Sequence, residues 1–345
     1  MIKPIAKEIG WIGIDVAKET FDAAYHPPRS CADVPDFSNI ESRSFPRTAN
    51  GVKQMLKWTE TMDTGCSYRI VMEATGNYSS ELAVWFQQQQ PSSKPAIVNP
   101  NLIANFNKSF NLRNKTDSVD AIAVARYGVE RCPNEWQQPS AEDKYLKELV
   151  RERAYLVKTR TSAQNRMSEL DKDGIAVDIH KNFINSLKKS IEKIENSIKK
   201  HVKNDSKLSE KTKTLMTIPG IGLITAATIL GELGDLTRFC KSRSLSAFAG
   251  LSPRIHESGK SVKRSTRLCK KGPAEVRRVL YLSTMSAIRG NNDLSEFYNS
   301  LVQRGKPKMS AIGAVMRKQL VLMRALLINK TEYQNNYCKK AVKII

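Results

Sequence analysis

Ile9-Gly10-Trp11-Ile12-Gly13-Ile14-Asp15-Val16 is a short apolar run that reads as a buried strand, with one acid, Asp15, near its end. Residues 21–25 and 43–45 read as two further short strands. The turn-rich insert between them, residues 26–42, holds Pro27, Pro28, Pro35 and Asp36, and its residues suggest no role. A helix over residues 48–61 then leads to a second apolar strand at 69–72, and Glu73 follows it directly. After a helix over 79–90 comes a third core strand at 96–98, which Asn99-Pro100 stops. In Lys115-Thr116-Asp117-Ser118-Val119-Asp120-Ala121, the three-residue spacing puts Asp117 and Asp120 on one face of a helix.

Three strands followed by αβαβα is the ribonuclease-H order. In that order, acids at the ends of the first and fourth strands and on the last helix converge on one point. Four carboxylates so close repel one another, and they stay ionised together only around a cation. Hard oxygen ligands select Mg²⁺ or Mn²⁺, and a pair of such ions stabilises both the attacking and the leaving oxygen of a phosphodiester. Asp15, Glu73, Asp117 and Asp120 are therefore the candidate metal ligands. The plainer reading makes Asp15 a strand-end acid and the other two a solvated helix face.

Charge divides the chain. Residues 1–140 hold 15 Lys and Arg against 15 Asp and Glu, so of the 56 and 34 in the whole chain, 41 and 19 fall in residues 141–345. The entire formal charge of +22 belongs to this second part. Such an excess is a footprint for phosphate backbones, with binding that weakens steeply as salt rises. A membrane role is not expected, because no apolar run reaches ~18 residues and no signal peptide is visible; the cytoplasm is the expected location. The six cysteines show no CxxC spacing and make no zinc pattern with the four histidines, so they read as reduced structural thiols.

At 345 residues the chain has room for more than one domain. Ile184, Leu187, Ile191, Ile194 and Ile198 repeat at alternating steps of three and four, a coiled-coil seam. Leu146, Leu149, Leu156, Met167 and Leu170 form a looser stripe before it, and residues 171–174 make the turn. The expectation is a helical hairpin over 140–203, serving either self-association or packing within one protomer. Next, Leu215-Met216-Thr217-Ile218-Pro219-Gly220-Ile221-Gly222 and the apolar run to Leu233 give the helix-hairpin-helix pattern. Gly220 and Gly222 would let backbone N–H groups approach phosphate without reading sequence, although such turns also serve as plain connectors. Further on, Phe248-Ala249-Gly250-Leu251-Ser252-Pro253-Arg254 runs into His256-Glu257-Ser258-Gly259-Lys260, followed by Lys263, Arg264, Arg267, Lys270, Lys271, Arg277 and Arg278. A serine beside glycine among cations can attack phosphate. By chemistry alone Ser258 competes with Ser252, Ser261 and Ser265 for that role.

At these residues the chain resembles the insertion-sequence one-ten family of transposases, relatives of the Piv DNA invertases and now understood as bridge-RNA-guided recombinases. The motifs that carry the resemblance are Asp15-Val16-Ala17-Lys18 with Phe21-Asp22, Glu73-Ala74-Thr75-Gly76-Asn77-Tyr78, Val98-Asn99-Pro100, the run 115–121, Ile218-Pro219-Gly220-Ile221-Gly222, the run 248–254 and Ser258-Gly259-Lys260. The resemblance implies three parts: a RuvC-like, ribonuclease-H-like α/β domain over 1–138, a coiled-coil helical hairpin over 139–205, and a mainly α-helical transposase domain with a helix-hairpin-helix over 206–345. It implies that Asp15, Glu73, Asp117 and Asp120 hold Mg²⁺, with Mn²⁺ as substitute, and that Ser258 forms a 5′-phosphoserine intermediate. It also implies donor and target DNA, a structured noncoding guide RNA and a homo-oligomer, dimer or tetramer, whose protomers share composite sites. Lys115, Gly220, Gly222, Arg254, Lys260, Lys263, Arg264, Lys270, Lys271, Arg277 and Arg278 are the expected nucleic-acid contacts. Where relatives commonly carry Lys-Arg-Gly-Asn, this chain has Lys270-Lys271-Gly272-Pro273, which keeps the charge and changes the turn.

Three other readings stand beside this one. A metal-dependent nuclease or junction resolvase would use the same acids with water as nucleophile. A non-catalytic nucleic-acid-binding protein would need only the basic half. An actin-like ATPase would share the first strand and its aspartate, but no Walker A sequence is present and the charge opposes it. Inversion and transposition are not separable at this level.

Overall fold

The computed structural model describes residues 9–27, 40–62, 67–108, 117–170, 174–254, 257–258, 262–263 and 267–335, with 117–118, 254, 257–258 and 262–263 described for the backbone alone. The chain forms two compact units, Met1–Gln138 and Pro139–Ile345. Most of the insert (28–39) and most of the expected turn after the first long helix (171–173) lie outside the described residues.

In the first unit the elements are β1 (Gly10–Val16), β2 (Thr20–His26), β3 (Ser42–Pro46), α1 (Ala49–Thr61), β4 (Tyr68–Glu73), α2 (Gly76–Gln89), β5 (Ala96–Val98), α3 (Pro100–Asn107) and α4 (Asp117–Arg131). One mixed sheet has the order β3-β2-β1-β4-β5. β1 runs antiparallel to β2 and parallel to β4, and β4 is parallel to β5. Side-chain alternation sorts the core into two faces. Ile12, Ile14, Val16, Ile70 and Met72 pack with Val52 and Met55 of α1 and Leu82 and Phe86 of α2. Trp11 and Val71 point the other way, to Ile103 of α3 and Val124 and Val129 of α4. Asn99-Pro100 does more than stop a strand: the Asn99 side chain accepts the Asn101 N–H at 2.9 Å and Pro100 opens α3, a place where its missing N–H costs nothing.

Two glycines set the seat of α4. A Cβ on Gly13 would overlap the Ala121 and Ala125 backbone, and one on Gly128 would come within 2.8 Å of both Trp11 and Val71. The helix thus lies directly on the strands. Gly13 meets residues 121–125 and Trp11 meets residue 128, so α4 runs antiparallel to β1 and β4. Its first turn lies toward their C-terminal ends.

The second unit is helical: α5 (Ala141–Ser168), α6 (Ile175–Asn204), α7 (Ser206–Met216), α8 (Leu223–Leu233), α9 (Ser242–Phe248), α10 (Ala274–Ala287), α11 (Asp293–Gln303) and α12 (Lys308–Asn329). Between α9 and α10 lie four two-residue strands, β6 (Pro253–Arg254), β7 (Glu257–Ser258), β8 (Val262–Lys263) and β9 (Arg267–Leu268). Ser140 caps α5 through the Asp143 N–H at 3.0 Å, and α5 packs along α6, tied by Arg153 to Glu195. Ile184, Leu187, Ile191 and Ile198 of the seam are buried within this single chain. Leu146 and Val150 join α8, α10 and α12 in one core. Residues 226–233 of α8 are all buried, as befits a central helix. Replacing Gly13 by Ala should lower stability by about 1–3 kcal/mol or more, because backbone, not a flexible side chain, occupies the space. Thermal unfolding of Gly13→Ala checks this, and an unchanged midpoint would refute the close contact.

Candidate catalytic and nucleic-acid sites

Asp15 and Glu73 are neighbours by register. The β1–β4 ladder ends at Ile14–Met72, and the next residue on each strand is an acid. Residues paired in this way point to the same face, and for Asp15 that is the face of Trp11 and Gly13, beneath α4. The helix begins at Asp117, with Asp120 one turn on. Strand ends and helix start therefore meet in one region of the first unit. Asp15 and Asp120 are half-buried, and each has interactions within the protein.

A further acid belongs with them. In the antiparallel β1–β2 register Asp15 stands directly opposite Asp22, on the same face. From sequence, Asp22 belongs to the Phe21-Asp22 motif and carries no role of its own. The signal was there in the short Ala17–Thr20 turn, whose closing hydrogen bond of 3.0 Å fixes the register. Opposed like charges destabilise a strand pair unless a cation lies between them. The donor chemistry of Asp15, Asp22, Glu73 and Asp120 fits a hard divalent ion. Among the described residues, no three His, Cys, Asp or Glu side chains are gathered closely enough to hold a metal, and the Asp117 side chain is outside the description.

Beside these acids Arg47 joins three pieces of chain. It donates to the Lys18 carbonyl and to Glu81, each at 2.8 Å, and its guanidinium lies 4.3 Å from the Tyr78 ring centre. It thereby ties the β1–β2 turn to the start of α2, on either side of the strand ends that carry Asp15 and Glu73.

In the second unit the turn between α7 and α8 is anchored to the core. Gly220 has φ +83°, and a Cβ there would strike the Ser283 carbonyl of α10. The fully buried Gln319 donates to the Pro219 carbonyl at 3.1 Å and accepts from Ser283 and Thr284 at 3.1 and 2.7 Å. Gly222 differs: it starts α8 with open space where a Cβ would stand. Gly220 thus serves packing, and Gly222 leaves the helix start uncovered.

The Ser258 backbone lies on a short antiparallel ribbon. Ser258 pairs with Val262 and Glu257 with Lys263, while Pro253–Arg254 pairs with Arg267–Leu268. Arg254 and Lys263 therefore lie on this ribbon, whereas Lys115, Lys260, Arg264, Ser261 and Ser265 lie outside the described residues. The ribbon's base is clamped by Arg277, whose Nη1 donates to the Gly272 and Pro273 carbonyls at 2.7 and 3.3 Å. Burial holds the Arg277 pKa below the usual guanidinium range. Arg278 is bonded through Nε and Nη2 to Glu275, which raises its pKa. Lys270 and Lys271 are exposed.

Comparison with known proteins bears on both units. A DEDD transposase model of the IS110 type matches residues 12–170, and the model described as "Transposase IS116/IS110/IS902 family" matches residues 212–299. The pilin gene-inverting protein of Moraxella bovis is 31% identical over 323 residues, 92% of this chain and 95% of that protein, and its Moraxella lacunata counterpart aligns to the same extent. The transposase for insertion sequence element IS1111A of Coxiella burnetii is 24% identical over 360 residues, 95% of this chain and 92% of that protein.

Neutralising one of the two opposed aspartates should relieve their repulsion when no divalent ion is present. Asp22→Asn is expected to stabilise the fold in EDTA by about 0.2–1 kcal/mol. Thermal unfolding with and without Mg²⁺ measures this, and a destabilised variant in EDTA would refute the repulsion.

Proposed function

The chain belongs to the transposase family of the insertion sequences IS116, IS110 and IS902, and from that premise we propose that it is a recombinase that cuts and reseals DNA through a serine, aided by a divalent metal and directed by a guide RNA. The observation that carries the metal part is the common height of Asp15, Asp22 and Glu73 at strand ends facing the first turn of α4. Asp15, Glu73, Asp117 and Asp120, with Asp22 beside them, would hold Mg²⁺ or Mn²⁺. Such an ion supplies charge stabilisation for a phosphodiester in transition.

The chain's own residues supply the rest. The Ser258 hydroxyl loses its proton and its oxygen attacks phosphorus; the bond from phosphorus to the 3′ oxygen breaks, and that oxygen leaves as a hydroxyl. The phosphate stays on Ser258 as a 5′-phosphoserine, so the bond's energy is kept and no ATP is needed. A 3′ hydroxyl of the exchanged strand then attacks the same phosphorus and restores the serine. Arg277 supports this role by bracing the ribbon base, and Lys270 and Lys271 by standing exposed near it as phosphate partners. Exchange between two duplexes breaks more than one strand while each chain offers one Ser258, so a homo-oligomer, dimer or tetramer, is part of the reading.

Guidance by RNA is supported by the imbalance between charge and readout. The excess of +22 binds backbones of any sequence, and no base-reading motif accompanies it. Donor and target choice would then fall to base pairing, as in other RNA-guided systems. Among the described residues no helix is long and apolar enough to cross a membrane. The relatives named for gene inversion and for transposition support a reading in which the chain rearranges DNA.

Purified protein, its flanking noncoding RNA, Mg²⁺ and labelled junction DNA should give a covalent protein–DNA adduct on a denaturing gel. Ser258→Ala should abolish the adduct, and Asp117→Asn or EDTA should reduce it at least about 100-fold, a loss typical for a group that stabilises transition-state charge. Cleavage without any adduct would replace the serine with water and make the protein a nuclease or resolvase.

A further inference from the structure

A feature of the second unit lies outside the recombination chemistry. Phe248 ends α9 with 45% of its surface exposed, while Leu245 and Ser246 anchor the helix in the core. Its ring packs on Phe239 with centroids 5.4 Å apart at 52°. The Arg238 guanidinium lies beside both rings, 5.0 Å from the Phe239 centre and 5.7 Å from that of Phe248. The arrangement is held before any ligand arrives. Arg238 donates to the Leu233 carbonyl at 3.0 Å, and Arg324 of α12 donates to the Phe239 and Cys240 carbonyls at 2.8 and 3.0 Å.

The charge around it is positive beyond what the local acids cancel. Arg238 shares its neighbourhood with Lys147 and Arg151 of α5. Glu232, almost fully buried, is taken by Arg151 through two hydrogen bonds of 2.7 and 3.1 Å, and Asp235 is taken by Lys211 and by the Thr237 N–H. Burial first, then the like charge of Arg151, holds Lys147 below the usual lysine range. An anion arriving there would favour the charged lysine. An aromatic face bordered by cations suits a base and its phosphate, whereas an anchor for a protein partner would be ringed by apolar side chains.

We propose that Phe248, backed by Phe239 and edged by Arg238, is a stacking seat for an unpaired base of a single polynucleotide strand, with the adjoining phosphate held by Arg238. This rests on the reading that the chain handles nucleic acid, and it adds a site selective for single strands, since the faces of paired bases are covered within a duplex. The seat does not depend on the base, because every base has a stacking face.

The test uses the full chain and labelled strands of about 20 nucleotides, as DNA and as RNA, beside the matching DNA duplex, by fluorescence anisotropy at fixed salt. Phe248→Ala and Phe248→Leu should bind single strands about fivefold to a hundredfold more weakly, with duplex binding unchanged, and Phe248→Trp should bind like the unaltered chain. Phe248→Leu keeps the apolar contact with Phe239, so its loss reports the missing aromatic face rather than failed folding. A loss confined to RNA assigns the seat to a guide strand, and one confined to DNA assigns it to a separated DNA strand. Either supports the proposal. Unchanged single-strand binding by both variants, or an equal loss on the duplex, overturns it. The Ser258 adduct is scored separately in Phe248→Ala, so the seat and the recombinase reading can fail independently.

Discussion

The contact between Gly13 and the backbone of α4 is the constraint on which the first unit depends. A helix normally stands off a sheet by the thickness of two layers of side chains. Here one layer is missing at Gly13, and the helix backbone comes down onto the strand. That approach aligns α4 along β1 and carries its first turn to the strand ends where Asp15 and Glu73 lie. Two residues of strand separate Gly13 from Asp15, about 7 Å, and one helical turn separates Ala121 from Asp117, about 5.4 Å. The glycine contact thus sets how far the strand ends and the start of the helix lie from a common point. The seat of the helix is held by the apolar packing of Trp11, Val71, Val124 and Val129 beside it.

The sequence made local features legible and left non-local ones hidden. The sheet strands, the two long helices and the buried seam of α6 follow from periods of two and of three and four, which depend only on near neighbours. Asp15 and Glu73 stood out as acids closing apolar runs. Asp22 did not, because its place opposite Asp15 follows from the hairpin register, not from its own surroundings. Asn99-Pro100 was legible as a break yet not as the start of α3, since one dipeptide both ends strands and opens helices. Gly220 is required by the Ser283 carbonyl, a contact between residues 63 positions apart that no turn rule contains. The ribbon bearing Ser258 is built from two-residue strands too short to leave a pattern.

In the second unit, polar groups in the interior hold irregular backbone in place. Gln319 offers one carbonyl to two hydroxyls of α10 and one amide to Pro219, so the turn before α8 cannot shift without stranding buried polar atoms. Arg324 does the same for the chain at 239–240 and Arg277 for the chain at 272–273. The two arginines contribute here as hydrogen-bond forks rather than as charges for a ligand. A strongly basic composition therefore overstates the cations free to meet phosphate, and the exposed lysines are the larger share of what remains.

The IS110-type DEDD model spans residues 12–170, while the compact units divide at residue 138. The stretch that matches the family model is not the stretch that packs together. Helix α5 falls within the match to the DEDD model, yet its Leu146 and Val150 are buried with α8, α10 and α12. A natural exchange of modules between relatives at the end of that match would cut between the two helices of the hairpin and give α6 a foreign partner. Such hybrids would survive only where the incoming α5 reproduces the seam against Ile184, Leu187, Ile191 and Ile198. The hairpin is thus the point at which the two parts of such a hybrid would have to match.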